Sequence, residues 1–143
     1  MVFLLSAWVF LATVVAQAAD GVSVSTDSAS YASGDPIQLT ISNAGPDRVS
    51  RSGLACDDVW PLALEQLTDD GTWQPVTVPR HQCIGITAAL LSPGQSQSRT
   101  ITLLLYPGTY RASYPFDDAD TATHDVAYTD PFEVLAQGVP PAK

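Results

Sequence analysis

Beyond residue 20 the hydrophobic and polar positions alternate with period two. Val22-Ser23-Val24-Ser25, Ile37-Gln38-Leu39-Thr40-Ile41 and Thr100-Ile101-Thr102-Leu103 each put apolar side chains on one face and polar ones on the other, the pattern of a half-buried β-strand. Turn-forming clusters interrupt it at short intervals: Ser33-Gly34-Asp35-Pro36, Asn43-Ala44-Gly45-Pro46-Asp47, Asp69-Asp70-Gly71, Ser92-Pro93-Gly94 and Tyr106-Pro107-Gly108. Glycine supplies positive φ in such turns, and proline fixes φ while removing a donor, so neither continues a ladder. No stretch sustains an apolar stripe at helical spacing free of Pro and Gly, and no substantial helix is expected. The spacing predicts strands over 21–26, 36–43, 47–52, 61–68, 72–78, 84–90, 96–105, 108–115 and 124–135. About seven to nine short antiparallel strands make an all-β, two-sheet sandwich. Trp73, just after the Asp-Gly turn and facing Leu62, Leu64 and Leu67 in sequence, marks a hairpin. Tyr110, after Pro107-Gly108-Thr109, suits a corner where its ring packs inward and its hydroxyl bonds a nearby backbone group; an ordinary cross-strand aromatic is the alternative.

The two ends of the chain break the alternation. Met1 to Val15 is an uncharged apolar run followed by Ala16-Gln17-Ala18-Ala19, which reads as a signal peptide over 1–18 with cleavage before Ala19, although the usual Lys or Arg of the leading region is missing. The run is shorter than the ~20 residues a membrane-crossing helix needs, so no membrane span is expected after cleavage. The folded domain is then 19–135, and Ala136 to Lys143, AQGVPPAK, is a flexible tail without alternation. Cys56 and Cys83 are the only cysteines. An even count behind a secretion signal reads as one disulfide formed in an oxidising compartment. A metal pair lacks nearby histidines at ligand spacing, and a redox couple would need the two thiols close in sequence.

Composition narrows the function classes. The 143 residues carry 15 Asp+Glu against 6 Lys+Arg, a formal charge of −9, which repels phosphate backbones and anionic lipid surfaces and argues against a nucleic-acid partner. His81 and His124 are the only candidate general bases near neutral pH, and no Gly-x-Ser-x-Gly nucleophile motif accompanies them. No catalytic residue and no cofactor are predicted. Asp117, Asp118 and Asp120, with Asp125 and Asp130 beyond, form an acid-rich stretch ahead of the last strand. It is a weak calcium candidate, because the central Gly and terminal Glu of a known loop pattern are absent, and a solvated self-repelling loop explains it better. Asp57 and Asp58 beside Cys56, with Trp60, are a candidate aromatic-plus-acid patch for a basic partner; Trp60 also fits a core position.

The order of these elements resembles a known family. Tyr31-Ala32-Ser33-Gly34-Asp35-Pro36 running into Ile37-Gln38-Leu39-Thr40-Ile41-Ser42-Asn43 is similar to the opening of a bacterial immunoglobulin-like domain: a tyrosine, a Gly-acidic turn, and an alternating strand that ends at Asn. Cys56, Leu64-Glu65, Gly71-Thr72-Trp73-Gln74-Pro75-Val76, Cys83, Leu91-Ser92-Pro93-Gly94-Gln95 and Pro107-Gly108-Thr109-Tyr110-Arg111 follow in order, as in small secreted members with one cysteine pair. The resemblance covers about residues 22–135 and implies an immunoglobulin-like sandwich, a secreted or periplasmic envelope location, and no shared catalytic residues. The expected function is a monomeric, non-enzymatic binding or structural module whose partner is a protein or envelope component. The alternative is a secreted protease inhibitor, since the same order also resembles, less closely, the proteinase-inhibitor domains of bacilli. A binding module predicts an exposed apolar or aromatic patch, an inhibitor a protruding ordered loop, and a hydrolase a cleft holding His81 or His124 beside a nucleophile.

Overall fold

The computed structural model describes residues 21–54, 63–77, 86–119 and 121–136. Eleven strands run through them: β1 (Val22–Thr26), β2 (Ser30–Ala32), β3 (Pro36–Asn43), β4 (Val49–Leu54), β5 (Ala63–Leu67), β6 (Trp73–Val76), β7 (Ile86–Leu91), β8 (Ser96–Thr102), β9 (Gly108–Asp118), β10 (His124–Tyr128) and β11 (Phe132–Leu135). They form two sheets, one of three strands in the order β1-β3-β8 and one of eight strands built around β9. The all-β sandwich expected from the alternation is the observed architecture.

In the eight-stranded sheet β9 is a long spine that pairs with two short strands along each side. On one side β11 meets Gly108 to Tyr110 and β10 meets Ser113 to Asp117; on the other β5 meets Tyr110 to Ser113 and β4 meets Asp117 and Asp118. β6 extends the sheet beyond β5, and β7 beyond β4. Period two then decides what is inside. Tyr110, Ala112, Tyr114 and Phe116 of β9 are buried and meet Ile37, Leu39 and Ile41 of β3 across the sandwich, in two neighbouring clusters. Each of the larger apolar side chains contributes about 1.5–3 kcal/mol on full burial.

The strand count exceeds the predicted one because one predicted strand is broken and another strand, β2, was not predicted. Residues 124–135 split at Thr129-Asp130-Pro131: Pro131 has no N–H to donate, and Thr129 bridges the gap, its Oγ1 accepting from Ala112 N at 2.9 Å and its own N–H donating to the Ala112 carbonyl at 2.9 Å. The chain also crosses between sheets after β1. Asp27 makes the crossing: its carboxylate accepts from Gln38 N at 2.9 Å and from the Tyr31 hydroxyl at 2.7 Å. β2 then joins β11 in a parallel pairing, where antiparallel strands alone were expected.

The turns follow their residues. Between β5 and β6 the Asp69-Asp70-Gly71 turn closes with Gly71 N to the Thr68 carbonyl at 2.9 Å, and Gly71 has φ +81°, a conformation that only glycine adopts without strain. This is the predicted hairpin, with Leu67 opposite Trp73. Gly21 is needed for a different reason. A Cβ there would lie 2.6 Å from Gly45 N, so the start of β1 can touch the β3–β4 turn only with glycine at position 21.

Candidate functional site

Several residues singled out in the sequence lie outside the described residues: Cys56, Asp57, Asp58, Trp60, His81, Cys83 and Asp120. The acidic candidates that are described do not form one cluster. Asp117 and Asp118 are the last residues of β9 and not part of a loop, so their side chains point to opposite faces. Asp117 accepts across the ladder from His124 Nδ1 at 2.8 Å on the exposed face, while Asp118 is buried and accepts from Thr121 N at 2.7 Å. Among the described residues no group of three or more His, Cys, Asp or Glu side chains is arranged to hold a metal ion. The His124–Asp117 pair was not anticipated, because it is fixed by the β9–β10 register and not by sequence neighbourhood.

Tyr110 occupies the predicted corner. Its ring is 1% exposed, stacks on Phe132 at 6.1 Å between centroids, and its hydroxyl donates to the Tyr106 carbonyl at 2.8 Å. Burial pushes the Tyr110 phenol pKa up, which keeps the hydroxyl a donor. Phe132 in turn takes the edge of Tyr31 at 5.5 Å. These three rings fix the end of the sandwich from which the segment 103–107 projects.

That segment carries the most exposed apolar side chains among those described. The β3–β8 ladder ends at Pro36 opposite Thr102, but the in-and-out alternation continues: Leu103 and Leu105 pack against the core, and Leu104 and Tyr106 point outward, 86% and 84% exposed. Two anchors hold it, Gly34 N donating to the Leu103 carbonyl at 3.1 Å and the Tyr110 hydroxyl on the Tyr106 carbonyl. Leu104 and Tyr106 thus form a ridge with a groove on each side. One groove, of about 430 Å³, runs between the ridge and Gln66, Val76 and Thr77; the other, of about 360 Å³, lies against Ser33, Pro107 and Leu135. Leu135, the last residue of β11, is itself 53% exposed. No Asp, Glu, Lys or Arg lines either groove. On a chain of charge −9, an uncharged apolar end is the kind of surface that marks an interaction site. Sequence reasoning missed it, although the run Leu103-Leu104-Leu105-Tyr106 contains the signal: four consecutive apolar residues in an alternating segment must expose two.

A second aromatic grouping lies on the outer face of the eight-stranded sheet. Arg111 sits directly opposite Glu65, with Nε 2.6 Å from Oε2, and its guanidinium lies 4.4 Å from the Trp73 ring and 4.1 Å from the Tyr128 ring. Here the rings already have their cation, so this stack fastens β6, β5, β9 and β10 together.

An all-β sandwich whose exposed features are an apolar ridge and a sealed corner is a scaffold that presents a surface. The chain belongs to the bacterial Ig-like domain family, whose model matches residues 18–132. Domains of this family are typically non-catalytic binding or structural modules, usually extracellular or envelope-associated. Among solved structures, the chain is similar to the structural-genomics target SoR45, with 13% identity, a TM-score of 0.40, and coverage of 85% of this chain and 88% of that one. It is also similar to part of a β-glucosidase from Listeria innocua in complex with glucose, with 18% identity, a TM-score of 0.34, and coverage of 82% of this chain and 16% of that one. Neither likeness bears on function. No curated protein matches.

Proposed function

We propose that this domain is an exported, non-enzymatic binding module that docks a protein or envelope component through the Leu104–Tyr106 end of the sandwich. The observation that carries the reading is the uncharged ridge and its two flanking grooves, held by the Tyr110 corner on a rigid frame. Two leucines and a tyrosine that stay exposed cost solubility, and they repay it only when a partner covers them. Export is supported by the apolar Met1 to Val15 run and the Ala16-Gln17-Ala18 cleavage pattern, and by the envelope association usual in the family. The inhibitor alternative finds no specific support in the described loops. The Asp57, Asp58 and Trp60 run remains a proposed accessory contact for a basic partner.

The test is a photo-crosslinking residue at position 106 in producing cells, with the same residue at exposed Thr100 as the comparison. Adducts to other molecules at 106 and not at 100 are expected. Equal yields at the two positions would overturn the docking surface.

A further inference from the structure

We propose that the chain from Thr102 to Leu105 is an open strand edge that takes an extended, mainly apolar segment of another protein as an added strand. The inference rests on the binding reading above and deepens it by naming the form and chemistry of the partner.

The first observation is where the backbone groups point. β8 is the last strand of the three-stranded sheet and, among the described strands, pairs with β3 alone. At both of its ends the odd-numbered residues face β3: the Gln95 carbonyl accepts from Asn43 N at 2.9 Å, and the Leu103 carbonyl from Gly34 N at 3.1 Å. Pro36, which has no N–H to give, stands opposite even-numbered Thr102. In an extended chain successive residues turn their N–H and C=O to opposite edges, so Thr102 and Leu104 present theirs to the side beyond which no described strand follows. An added antiparallel strand would exchange two hydrogen bonds with each of them. Tyr106 ends the edge, because its carbonyl is taken by the Tyr110 hydroxyl.

The second observation is which part of the edge is open. Edge strands are commonly protected by a charge that points toward the core or by proline. Arg99 does this for the first part of β8: it stands opposite buried Leu39, on the core side of the strand. From Thr100 to Tyr106 there is no charged residue and no proline. That stretch borders the groove of about 430 Å³, whose far wall includes Val76 of β6, a strand that pairs only with β5. Residues directly opposite each other in an antiparallel pair share a face. Partner side chains opposite Leu103 and Leu105 would therefore enter the groove, and the one opposite Leu104 would lie beside its exposed side chain. The partner segment must supply three consecutive apolar residues.

Charge and area then decide the occupant. On a chain of charge −9 with an uncharged groove, a segment flanked by basic residues is attracted and a second copy of the chain is repelled. A stable dimer also needs about 800 Å² on each partner, whereas the large apolar side chains exposed at this end, among the described residues, are Leu104, Tyr106 and Leu135. A single strand needs no more than the edge and its groove: main-chain hydrogen bonds supply the affinity, and the groove selects the side chains.

The experiment titrates the purified mature protein with the capped peptide Lys-Val-Val-Val-Thr-Lys, whose third and fifth residues would lie opposite Leu104 and Thr102, and follows amide exchange. Saturable binding should slow exchange at Thr102 and Leu104 and leave Leu103 and Leu105 unchanged, the alternation that an added strand produces. N-methylation of the peptide at its third and fifth residues removes both donors and should weaken binding about tenfold or more, whereas N-methylation at the fourth, whose N–H points away from the edge, should have little effect. Leu104→Lys, at a side chain 86% exposed, should weaken binding by blunting the edge while the β9 amides stay protected. Equal effects of the two methylations, or no saturable binding below about millimolar peptide, would overturn the proposal. A dimer of the protein alone that protects Thr102 and Leu104 would also overturn it, by making a second copy the occupant. None of these failures touches the in-cell comparison of positions 106 and 100, and Thr100 lies outside the proposed ladder, so loss of this inference and loss of the binding reading are separate results.

Discussion

The Tyr110 hydroxyl donates to the carbonyl of Tyr106, four residues earlier, at 2.8 Å. One bond thereby joins a fully buried ring of β9 to the exposed tyrosine of the ridge, and the geometry of the ridge depends on it. In Tyr110→Phe the ring still fills its site between Phe132 and the core, but the Tyr106 carbonyl loses its partner. The net cost of one such bond is about 1 kcal/mol, to be read from urea denaturation. The discriminating result is local: amide exchange should speed up across 104–106 while β9 itself stays protected.

Asn43 closes β3 with its side chain. It is 1% exposed, donates from Nδ2 to the carbonyls of Asp47 at 2.8 Å and Leu91 at 3.0 Å, and accepts from Gly45 N at 3.0 Å through Oδ1. The β3–β4 turn and the end of β7 are thus tied to a single amide. Asn43→Ala removes both donors and strands two carbonyls and an N–H, a loss of about 2–4 kcal/mol in denaturant unfolding. Asn43→Asp should be no better, because a carboxylate facing two carbonyl oxygens has nothing to donate. An Asp variant as stable as the wild type would show that the amide is not the tie.

Stability should fall at both ends of the pH scale through one hydrogen-bonded pair. The Tyr31 hydroxyl and then Gln38 N donate to the Asp27 carboxylate and hold its pKa below the usual 3.8. Its contribution is present above that usual value and is lost as pH falls through the lower folded one. Tyr31 moves the other way. Burial, and then the hydrogen bond to Asp27, push the phenol above its usual 10.0, so the unfolded chain ionises first and stability declines as pH rises from about 10 towards the folded value. Asp27→Asn should flatten the acid limb of a stability-against-pH curve and Tyr31→Phe the alkaline limb. Unchanged limbs in both variants would remove the pair from the account.

The sequence made the interior legible and left the pairings and the exposed site largely unread. Ile37, Leu39 and Ile41 alternate with polar residues, and their burial follows from period two alone; the Asp70-Gly71 hairpin and the Tyr110 corner follow from local turn chemistry in the same way. The parallel β2–β11 pairing depends on where the chain crosses from one sheet to the other at Asp27, a long-range event with no local signal. Asp117 and Asp118 read as loop because aspartate is a poor strand former, yet the ladders to β4 and β10 hold them in β9. At 103–106 the alternation shows that one face is covered, but not which apolar residues on the other face remain bare.

The cysteines of the disulfide expected from the sequence follow β4 and precede β7 in the chain. Leu54 lies opposite Ile86 at the last described pair of that antiparallel ladder. Cys56 follows Leu54 by two positions and Cys83 precedes Ile86 by three. Paired strands run about 5 Å apart, and a disulfide needs Cα atoms within about 7 Å. On the loop-entropy model a bridge spanning 56 to 83 stabilises the domain by roughly 3–4 kcal/mol, a large part of the 5–15 kcal/mol typical of a whole domain. The mature protein should therefore take up no alkylating reagent before reduction and two equivalents after it, and the double variant Cys56→Ser, Cys83→Ser should unfold at markedly lower denaturant. Two thiols that react without reduction in the exported protein would sink the bridge and with it the oxidising compartment, whereas the β4–β7 ladder would stand unaltered.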